Sequence, residues 1–281
     1  MTQITIRRAL DADREALFTV EAKSTPNLRY LPQVYDLFLH DPRGAFLAAE
    51  IDGELAGCAK LTALPDGSAW LETLRVIPER QGLGVGKRLY EAFFEVAAEQ
   101  RISTMRMYTG LSNVVSKGLA ERYGFELEET FLGYSLPVDE TLTVQELPAW
   151  QLVTAPARAA DLVLTGQAAW HDFLVMNRTF YRLSAALCAD LATRQQIFSD
   201  DQGNVAIFGA RFMPEQALHI GHFAGNANAC LAFAHALAAQ RSIPRLSCLF
   251  PQTATSVRLA LEANSFTPDR APYIVMRRDL D

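Results

Sequence analysis

The chain is predicted to fold as α/β (α+β), in two successive units that are each a mixed sheet flanked by helices. Three observations predict this. Strand-like and helix-like segments alternate through the first half. Periodicity is lost between Leu136 and Pro148, where Pro137, Asp139, Glu140 and Pro148 punctuate the chain. A weak echo of the first half then follows. One constant displacement sets Gln81-x-x-Gly84-x-Gly86 on His222-x-x-Gly225-x-Ala227, Ile102 on Ile243, and Gly124-Phe125 on Ser265-Phe266. Gly203 to Gly209 similarly echoes Gly53 to Ala59. The predicted organisation is a first domain over 1–136, a linker over 137–149 and a second domain over 150–281.

Taken in order, Ile4–Arg8 reads as a strand, and Arg14–Ala22 and Pro32–His40 as helices. Ala45–Ile51, Glu54–Ala63 and Trp70–Val76 read as a meander of strands. Leu71, Leu74, Val76 and Ile77 suit burial, and Pro78 ends the run because it cannot donate to a ladder. Leu89, Tyr90, Phe93, Phe94, Val96 and Ala97 recur at helical spacing, which predicts a helix over Gly84–Glu99. Thr104–Tyr108 is a strand, Asn113–Tyr123 a helix, and Phe125–Glu129 and Gly133–Leu136 are two closing strands. In the second half the apolar run Ala229–Gln240 reads as a buried helix that follows its loop as the earlier helix follows Gln81–Gly86.

Bulk properties narrow the class of function. A length of 281 residues accommodates two ordinary cores, and 49% hydrophobic with 21% charged residues is a globular composition. Met1-Thr2-Gln3 leads directly into a strand, and no run of about 18 apolar residues occurs, so a cytoplasmic protein with no membrane partner is expected. Cys58, Cys188, Cys230 and Cys248 are isolated and read as reduced thiols. His219 and His222 lack neighbouring ligand residues, so no metal is expected. Residues 1–140 hold 15 Lys and Arg against 21 Asp and Glu, the remainder 11 against 11, and an acidic chain argues against a nucleic-acid partner. No oligomeric state is assigned.

The most informative stretch is Gln81-Gly82-Leu83-Gly84-Val85-Gly86-Lys87-Arg88. A glycine turn that feeds a helix N-terminus presents free backbone N–H groups at the positive end of the helix dipole, which suits a pyrophosphate. A Walker loop would need Ser or Thr after Gly86-Lys87, where Arg88 stands. The dinucleotide fingerprint fails as well, since its third glycine would fall on Lys87 or Leu89. A third pattern, Gln/Arg-x-x-Gly-x-Gly/Ala, is satisfied in full. Arg80, Lys87 and Arg88 add the positive charge that a phosphate site needs.

With this loop the chain resembles the GNAT superfamily of acyl-CoA N-acyltransferases. Glu72-Thr73-Leu74-Arg75-Val76-Ile77-Pro78 resembles the family's fourth strand, and Asn113 to Phe125 its Asn-x-x-Ala-x-x-Leu-Tyr-x-x-x-Gly-Phe helix, with Asn113, Leu119, Gly124 and Phe125 in register. Ile4 to Ala9 followed by Asp11-Ala12-Asp13 is similar to its first strand and helix cap. The resemblance covers residues 1–136 and implies a mostly antiparallel sheet. The second half is identified as a degenerate GNAT-like repeat, because His222 stands for Gln81 and two of the three glycines are gone. It is expected to bind coenzyme A poorly, and to shape the acceptor site or brace the first domain.

The resemblance implies acetyl-CoA as cosubstrate and a small-molecule or peptide amine as acceptor. An amine of pKa near 10.4 lies about 3.4 units from its neutral form at pH 7, roughly 4.6 kcal/mol, so a base is useful. The family's fourth strand often carries a glutamate in that role, here Glu72. Strand alternation would set Glu72, Leu74 and Val76 on one face. The main chain of Leu74, Arg75 and Val76 would pair with pantetheine, and the N–H of Leu74 or Val76 would serve the oxyanion. Asn113 would bind the pantetheine or thioester region. The N–H groups of Gln81, Gly82, Leu83, Gly84, Val85 and Gly86 would hold the pyrophosphate, with charge from Lys87 or Arg88. The acceptor would lie near Tyr30, Tyr35, Phe38 and Tyr134. One departure is Ala120, where the family often has the tyrosine that protonates departing coenzyme A; Tyr123 lies about one turn on. An acyl-CoA-binding sensor or scaffold without chemistry is the alternative reading.

Overall fold

The computed structural model describes residues 3–26, 28–138 and 149–280, so most of the expected linker lies outside the described residues. The chain divides into two compact units. Met1–Thr109, Asn113–Leu127 and Met276–Asp281 form the first; Gly110–Ser112 and Glu128–Val275 form the second. This grouping moves residues 128–136, expected in the first domain, into the second unit, and returns 276–281 to the first.

In chain order the first unit contains β1 (Ile4–Arg8), α1 (Arg14–Ser24), α2 (Leu31–Leu39), β2 (Ala45–Ile51), β3 (Glu54–Ala63), β4 (Ala69–Val76), α3 (Val85–Glu99), β5 (Thr104–Gly110) and α4 (Val114–Arg122). β1 to β4 form the expected antiparallel meander, and β5 lies parallel to β4. On the far edge of β5, Leu280 N–H donates to the carbonyl of Ser103 and the Thr104 hydroxyl to Asp279, both at 2.8 Å. α3 turns Leu89, Tyr90, Phe93, Val96 and Ala97 inward, the stripe that a 3.6-residue period predicts.

The second unit begins within β6 (Glu126–Pro137). It continues through β7 (Gln151–Leu152), α5 (Pro156–Thr165), β8 (Phe173–Met176), β9 (Thr179–Arg182), α6 (Ala185–Thr193), β10 (Ile197–Ser199), β11 (Val205–Gly209), β12 (Leu218–Ala224), α7 (Ala227–Gln240), β13 (Arg245–Pro251), α8 (Thr255–Ala263), β14 (Thr267–Pro268) and the start of β15 (Tyr273–Asp279). Its strands run in the order β6-β13-β12-β11-β10-β7, with β12 and β13 parallel; β8 and β9 form a separate hairpin. Trp170, Phe208, Ile220, Leu246, Phe250 and Leu261 centre its core. Phe125–Glu129 and Gly133–Leu136, expected as two strands, are one continuous β6. Gly133 marks no turn. Its carbonyl accepts from Asp269 N–H at 2.7 Å, and a Cβ there would overlap the Asp269 carboxylate, so the glycine answers a close approach.

The echo between the halves is a true repeat of backbone conformation. Gly84 and Gly225 take φ of 97° and 91°, Arg101 and Ser242 56° and 53°, and Gly124 and Ser265 74° and 65°. Ile102 N–H bonds the carbonyl of Ala97 and Ile243 N–H that of Ala238, both at 2.9 Å; Phe125 and Phe266 repeat this on Ala120 and Leu261, both at 3.1 Å. The last two pairs are helix ends in which a left-handed residue is followed by a buried apolar side chain, so α3 matches α7 and α4 matches α8.

One buried charge anchors the first sheet. Lys60 on β3 is fully buried, and its Nζ reaches Asp41 Oδ2 at 2.5 Å and the carbonyl of Leu61 at 2.7 Å. Gly44 supplies the room, since a Cβ there would overlap the Asp41 carboxylate, Lys60 Nζ and the Leu61 carbonyl together. Gly44→Ala should therefore displace the ion pair and destabilise the fold by about 3 kcal/mol, in the range of core overpacking and of broken buried pairs. Urea unfolding measures it; a midpoint equal to wild type would show that the pair re-forms around the methyl group.

Candidate active site

The site is built on a register break. β3 and β4 pair Gly57 with Val76 and Cys58 with Arg75, then Lys60 with Glu72, so β4 carries one extra residue. Thr73 takes φ of 58°, which a β-branched side chain resists. Alternation is interrupted there. The expectation that Glu72, Leu74 and Val76 share a face is overturned: Glu72 opposes Lys60 and Arg75 opposes Cys58, and Cys58 and Lys60 are two apart, so Glu72 and Arg75 face the same way.

The bulge also parts β4 from β5. Their parallel pairing spans only Ala69–Leu71 against Met105–Met107. Among the described residues, Leu74, Arg75 and Val76 have no strand partner on that side, which leaves backbone groups to pair with an extended ligand.

The two faces of β4 lead to different neighbours. Gly57 and Val76 pack under Val85 of α3; a Cβ on Gly57 would lie 3.3 Å from the Val85 side chain. The opposite face meets Tyr30 at the start of α2. The Tyr30 hydroxyl lies 2.7 Å from Thr73 Oγ1, and the Arg75 guanidinium carbon 5.9 Å from the Tyr30 ring centre. Glu21, fully buried on α1, accepts from the N–H groups of Tyr30 and Leu31 at 3.0–3.2 Å and so fixes where α2 begins. Burial raises the Tyr30 hydroxyl above the ordinary tyrosine range, while Arg75 draws it down and Glu72 pushes it up. Glu72 is buried, and the Thr62 hydroxyl donates to its Oε1 at 2.6 Å. Of the four aromatic residues expected at the acceptor site, Tyr30 alone meets this face of β4 among the described contacts. Tyr35 and Phe38 are core residues, the Tyr35 hydroxyl donating to the Leu10 carbonyl, and Tyr134 lies in the second unit with its hydroxyl on Glu262.

The glycine turn forms as its sequence predicts. Gln81 Nε2 donates back to the Val76 carbonyl at 3.0 Å. Gly82 and Gly84 take φ of 79° and 97°, and α3 starts at Val85 with no side-chain cap. Among the described residues no backbone acceptor faces the N–H groups of Gly82 through Lys87, while Arg88 N–H returns to the Gly84 carbonyl. Such a run of unclaimed donors at a helix N-terminus forms an anion cradle. Arg80 pairs with Glu54 at 3.2 Å and Arg88 with Glu91 at 2.7 Å; Lys87 is exposed. Asn113 caps α4, its Oδ1 accepting from Ser116 N–H at 3.2 Å. Ala120 is fully buried, and the Tyr123 hydroxyl donates to the Lys87 carbonyl at 3.0 Å, which occupies the hydroxyl that stands nearest in sequence to the missing acid.

The second unit repeats the bulge and fills what it opens. Between Ile207–His222 and Phe208–Ile220, β12 carries the extra residue Gly221, and its parallel pairing with β13 stops at Ile220. Leu174 of β8 lies against Gly221, 3.1 Å from where a Cβ would stand, and Trp170 Nε1 donates to the Phe223 carbonyl at 3.0 Å. The loop after β12 is only residues 225–226, against residues 77–84 after β4. His222, aligned on Gln81 by sequence, is therefore still in the strand. Asn226 caps α7 through Ala229 N–H at 3.2 Å, and its own N–H is claimed by Asn204 Oδ1 at 2.6 Å.

Fold and site together define an α/β protein with a split parallel strand pair and a phosphate-type cradle. Residues 9–125 match the Acetyltransferase (GNAT) family. The chain thus carries a GNAT-family acetyltransferase domain, an enzyme class that draws its acetyl group from acetyl-CoA. It is 24% identical over 125 residues to the "Putative [ribosomal protein bS18]-alanine N-acetyltransferase" of Bacillus subtilis (strain 168), across 44% of this chain and 82% of that one. It is 34% identical over 96 residues to the mycothiol acetyltransferase of Streptomyces griseus, across 34% of this chain and 31% of that one. A GCN5-related N-acetyltransferase from Sphaerobacter thermophilus shares the fold over 98% of this chain and 95% of its own, with a TM-score of 0.64 at 14% identity.

These contacts yield two expected outcomes. Gly84→Glu sets a side chain and a negative charge on a left-handed position in the cradle and should weaken acetyl-CoA binding at least about tenfold; calorimetric titration measures it, and unchanged affinity would remove the cradle from the binding site. The second concerns His222, which is fully buried and, among the described residues, meets no partner of good hydrogen-bond geometry on either ring nitrogen. Burial pushes it down from 6.5 to about 4. The unfolded chain then binds a proton that the folded chain refuses, so stability present at neutral pH is lost as pH falls from about 6.5 toward 4. His219, also held near 4, titrates the same way. His222→Phe should reduce the drop in urea midpoint between pH 7 and pH 5 without abolishing it; an unchanged drop would exclude His222 as a source.

Proposed function

We propose that the protein moves an acetyl group from acetyl-CoA to a primary amine by direct attack on the thioester, with one working site, in the first domain. The observation that carries this is the pairing of the unclaimed N–H groups of Gly82–Lys87 with the edge of Leu74–Val76 that no strand covers among the described residues, on one loop and the strand that leads into it. The cradle suits the pyrophosphate and the strand edge the pantetheine arm. The first domain, expected over 1–136, takes the cosubstrate; the second, over 150–281, is degenerate and does not, since its loop donors and its bulge are met by its own side chains. Two relatives whose names give an alanine N-acetyltransferase and a mycothiol acetyltransferase support an amine acceptor.

Glu72 takes the ammonium proton, Thr62 holding the carboxylate in place. The neutral nitrogen bonds the thioester carbonyl carbon, and the N–H of Leu74 or Val76 receives the oxygen as it gains charge. The C–S bond then breaks and the sulfur leaves as a thiolate. Its pKa near 8.5 lets it depart without a general acid, which is compatible with Ala120. Lys87 adds charge beside the phosphates, and Asn113, whose Oδ1 is engaged as a cap, offers its Nδ2 toward the pantetheine region. Buried Ala120 and the engaged Tyr123 hydroxyl also suit the second reading, an acyl-CoA sensor without turnover.

Glu72→Gln should lower kcat by about 10²-fold, the usual contribution of a positioned base, and leave acetyl-CoA affinity unchanged. Thiol release with an amine panel, beside calorimetry, measures both. Binding of one acetyl-CoA per chain with no thiol released from any amine would favour the sensor, and no binding would end both readings.

A further inference from the structure

The charge distribution on the Tyr30 face of β4 identifies the acceptor more closely. The resemblance assigns Arg75 to the cosubstrate through its main chain alone, which a side-chain substitution leaves in place, and the register sends the side chain elsewhere. Val76 and Gly57 lie on the α3 side under Val85, while Arg75, paired with Cys58, projects to the opposite face where Tyr30 and Thr73 stand. The aromatic ring beside its guanidinium is Tyr30, at 5.9 Å.

On that face the guanidinium has no counter-ion among the described residues. Its Nη1 donates to the carbonyl of Leu74 at 3.2 Å, its Nε is buried without a hydrogen-bond partner, and no described carboxylate lies within ion-pair distance. A half-buried cation with a buried, unsatisfied donor carries a standing desolvation cost that an anion would relieve. Glu21, the nearby buried acid on α1, is committed to the N–H groups of Tyr30 and Leu31. Glu72 stands on the same face of β4, and the two charges act with opposite sign on the Tyr30 hydroxyl.

We propose that Arg75 receives a carboxylate carried by the acceptor, so that the amine acetylated at Glu72 belongs to an amino-acid-like zwitterion. The β3 partners of Glu72 and Arg75 are two residues apart, a spacing of about 7 Å along a strand. Two oppositely charged side chains that leave one face at that spacing can converge on one small molecule that carries both an amine and a carboxylate. The ammonium is drawn to Glu72 and the carboxylate to Arg75, which also sets the nitrogen beside the open edge of Leu74–Val76. A polyamine or a lysine-rich peptide would instead bring a second positive charge onto Arg75. Arg75 is in this respect a specificity-determining residue. The inference rests on the acetyltransfer reading above.

Wild type, Arg75→Gln and Arg75→Lys are compared with free amino acids as acceptors, with the matching methyl esters, and with putrescine. Coenzyme A thiol release is followed, and acetyl-CoA binding is titrated for each protein. Arg75→Gln should lower kcat/KM for the free acids about 10- to 100-fold, mainly through KM. Activity on the esters should change less than about threefold, acetyl-CoA affinity should stay unchanged, and Arg75→Lys should restore part of the loss. Because each acceptor is compared across variants, the lower basicity of an ester amine cancels. Equal losses on acids and esters, or a wild type that turns over putrescine but no free amino acid, would overturn the assignment while leaving acetyltransfer intact. Retained acetyl-CoA binding in the variants reports that they fold. Failure of wild type to release thiol with any acceptor would instead strike the acetyltransfer reading, and this assignment with it.

Discussion

The single extra residue at Thr73 is the constraint from which the site follows. A strand paired on both sides has no backbone groups to spare, and its side chains alternate. One inserted residue at φ of 58° changes both conditions. It halts the parallel pairing of β4 with β5 after Leu71, and it sets Glu72 and Arg75 on the same face. A β-branched residue in this conformation stores strain, of order 1–3 kcal/mol for such outliers, which the surrounding packing must offset. The Tyr30 hydroxyl on Thr73 Oγ1, and Glu21 on the start of α2, are the contacts that hold it.

The second unit closes the same backbone device with its own side chains. Its bulge at Gly221 also ends a parallel pairing, yet Leu174 packs against it and Trp170 bonds the carbonyl beyond it. Its helix N-terminus is capped by Asn226, whereas α3 begins at an uncapped glycine. Polar backbone groups left open in one half are closed by side chains in the other. The two copies thus share helix ends and strand order, while the features that cost stability, unclaimed donors and a split strand pair, stand open in one copy.

Much of this was legible in the sequence. Ala45–Ile51 and Glu54–Ala63 match the observed strands end for end, since burial on both faces and flanking turn residues leave little choice. The cradle was legible because only glycine adopts φ of 79° and 97° without cost at Gly82 and Gly84. Gly133, by contrast, reads as a break but is an accommodation to Asp269, a neighbour far along the chain. Tyr35 and Phe38 read as acceptor residues because aromatic side chains look alike in sequence whether they line a site or fill a core.

The sequence by itself determined the local matters: strands, helix ends, the glycine turn and the repeat between the halves. These depend on the conformational freedom of individual residues and on short periodicities, which a sequence records directly. Tertiary structure alone decided the bulge at Thr73, the direction of Arg75, the occupation of the Tyr123 hydroxyl by the Lys87 carbonyl, and the placement of residues 128–137 in the second unit and of 276–281 in the first. Each of these turns on which distant segment supplies the partner, and register between segments far apart in the chain is set by packing energies that no local pattern encodes.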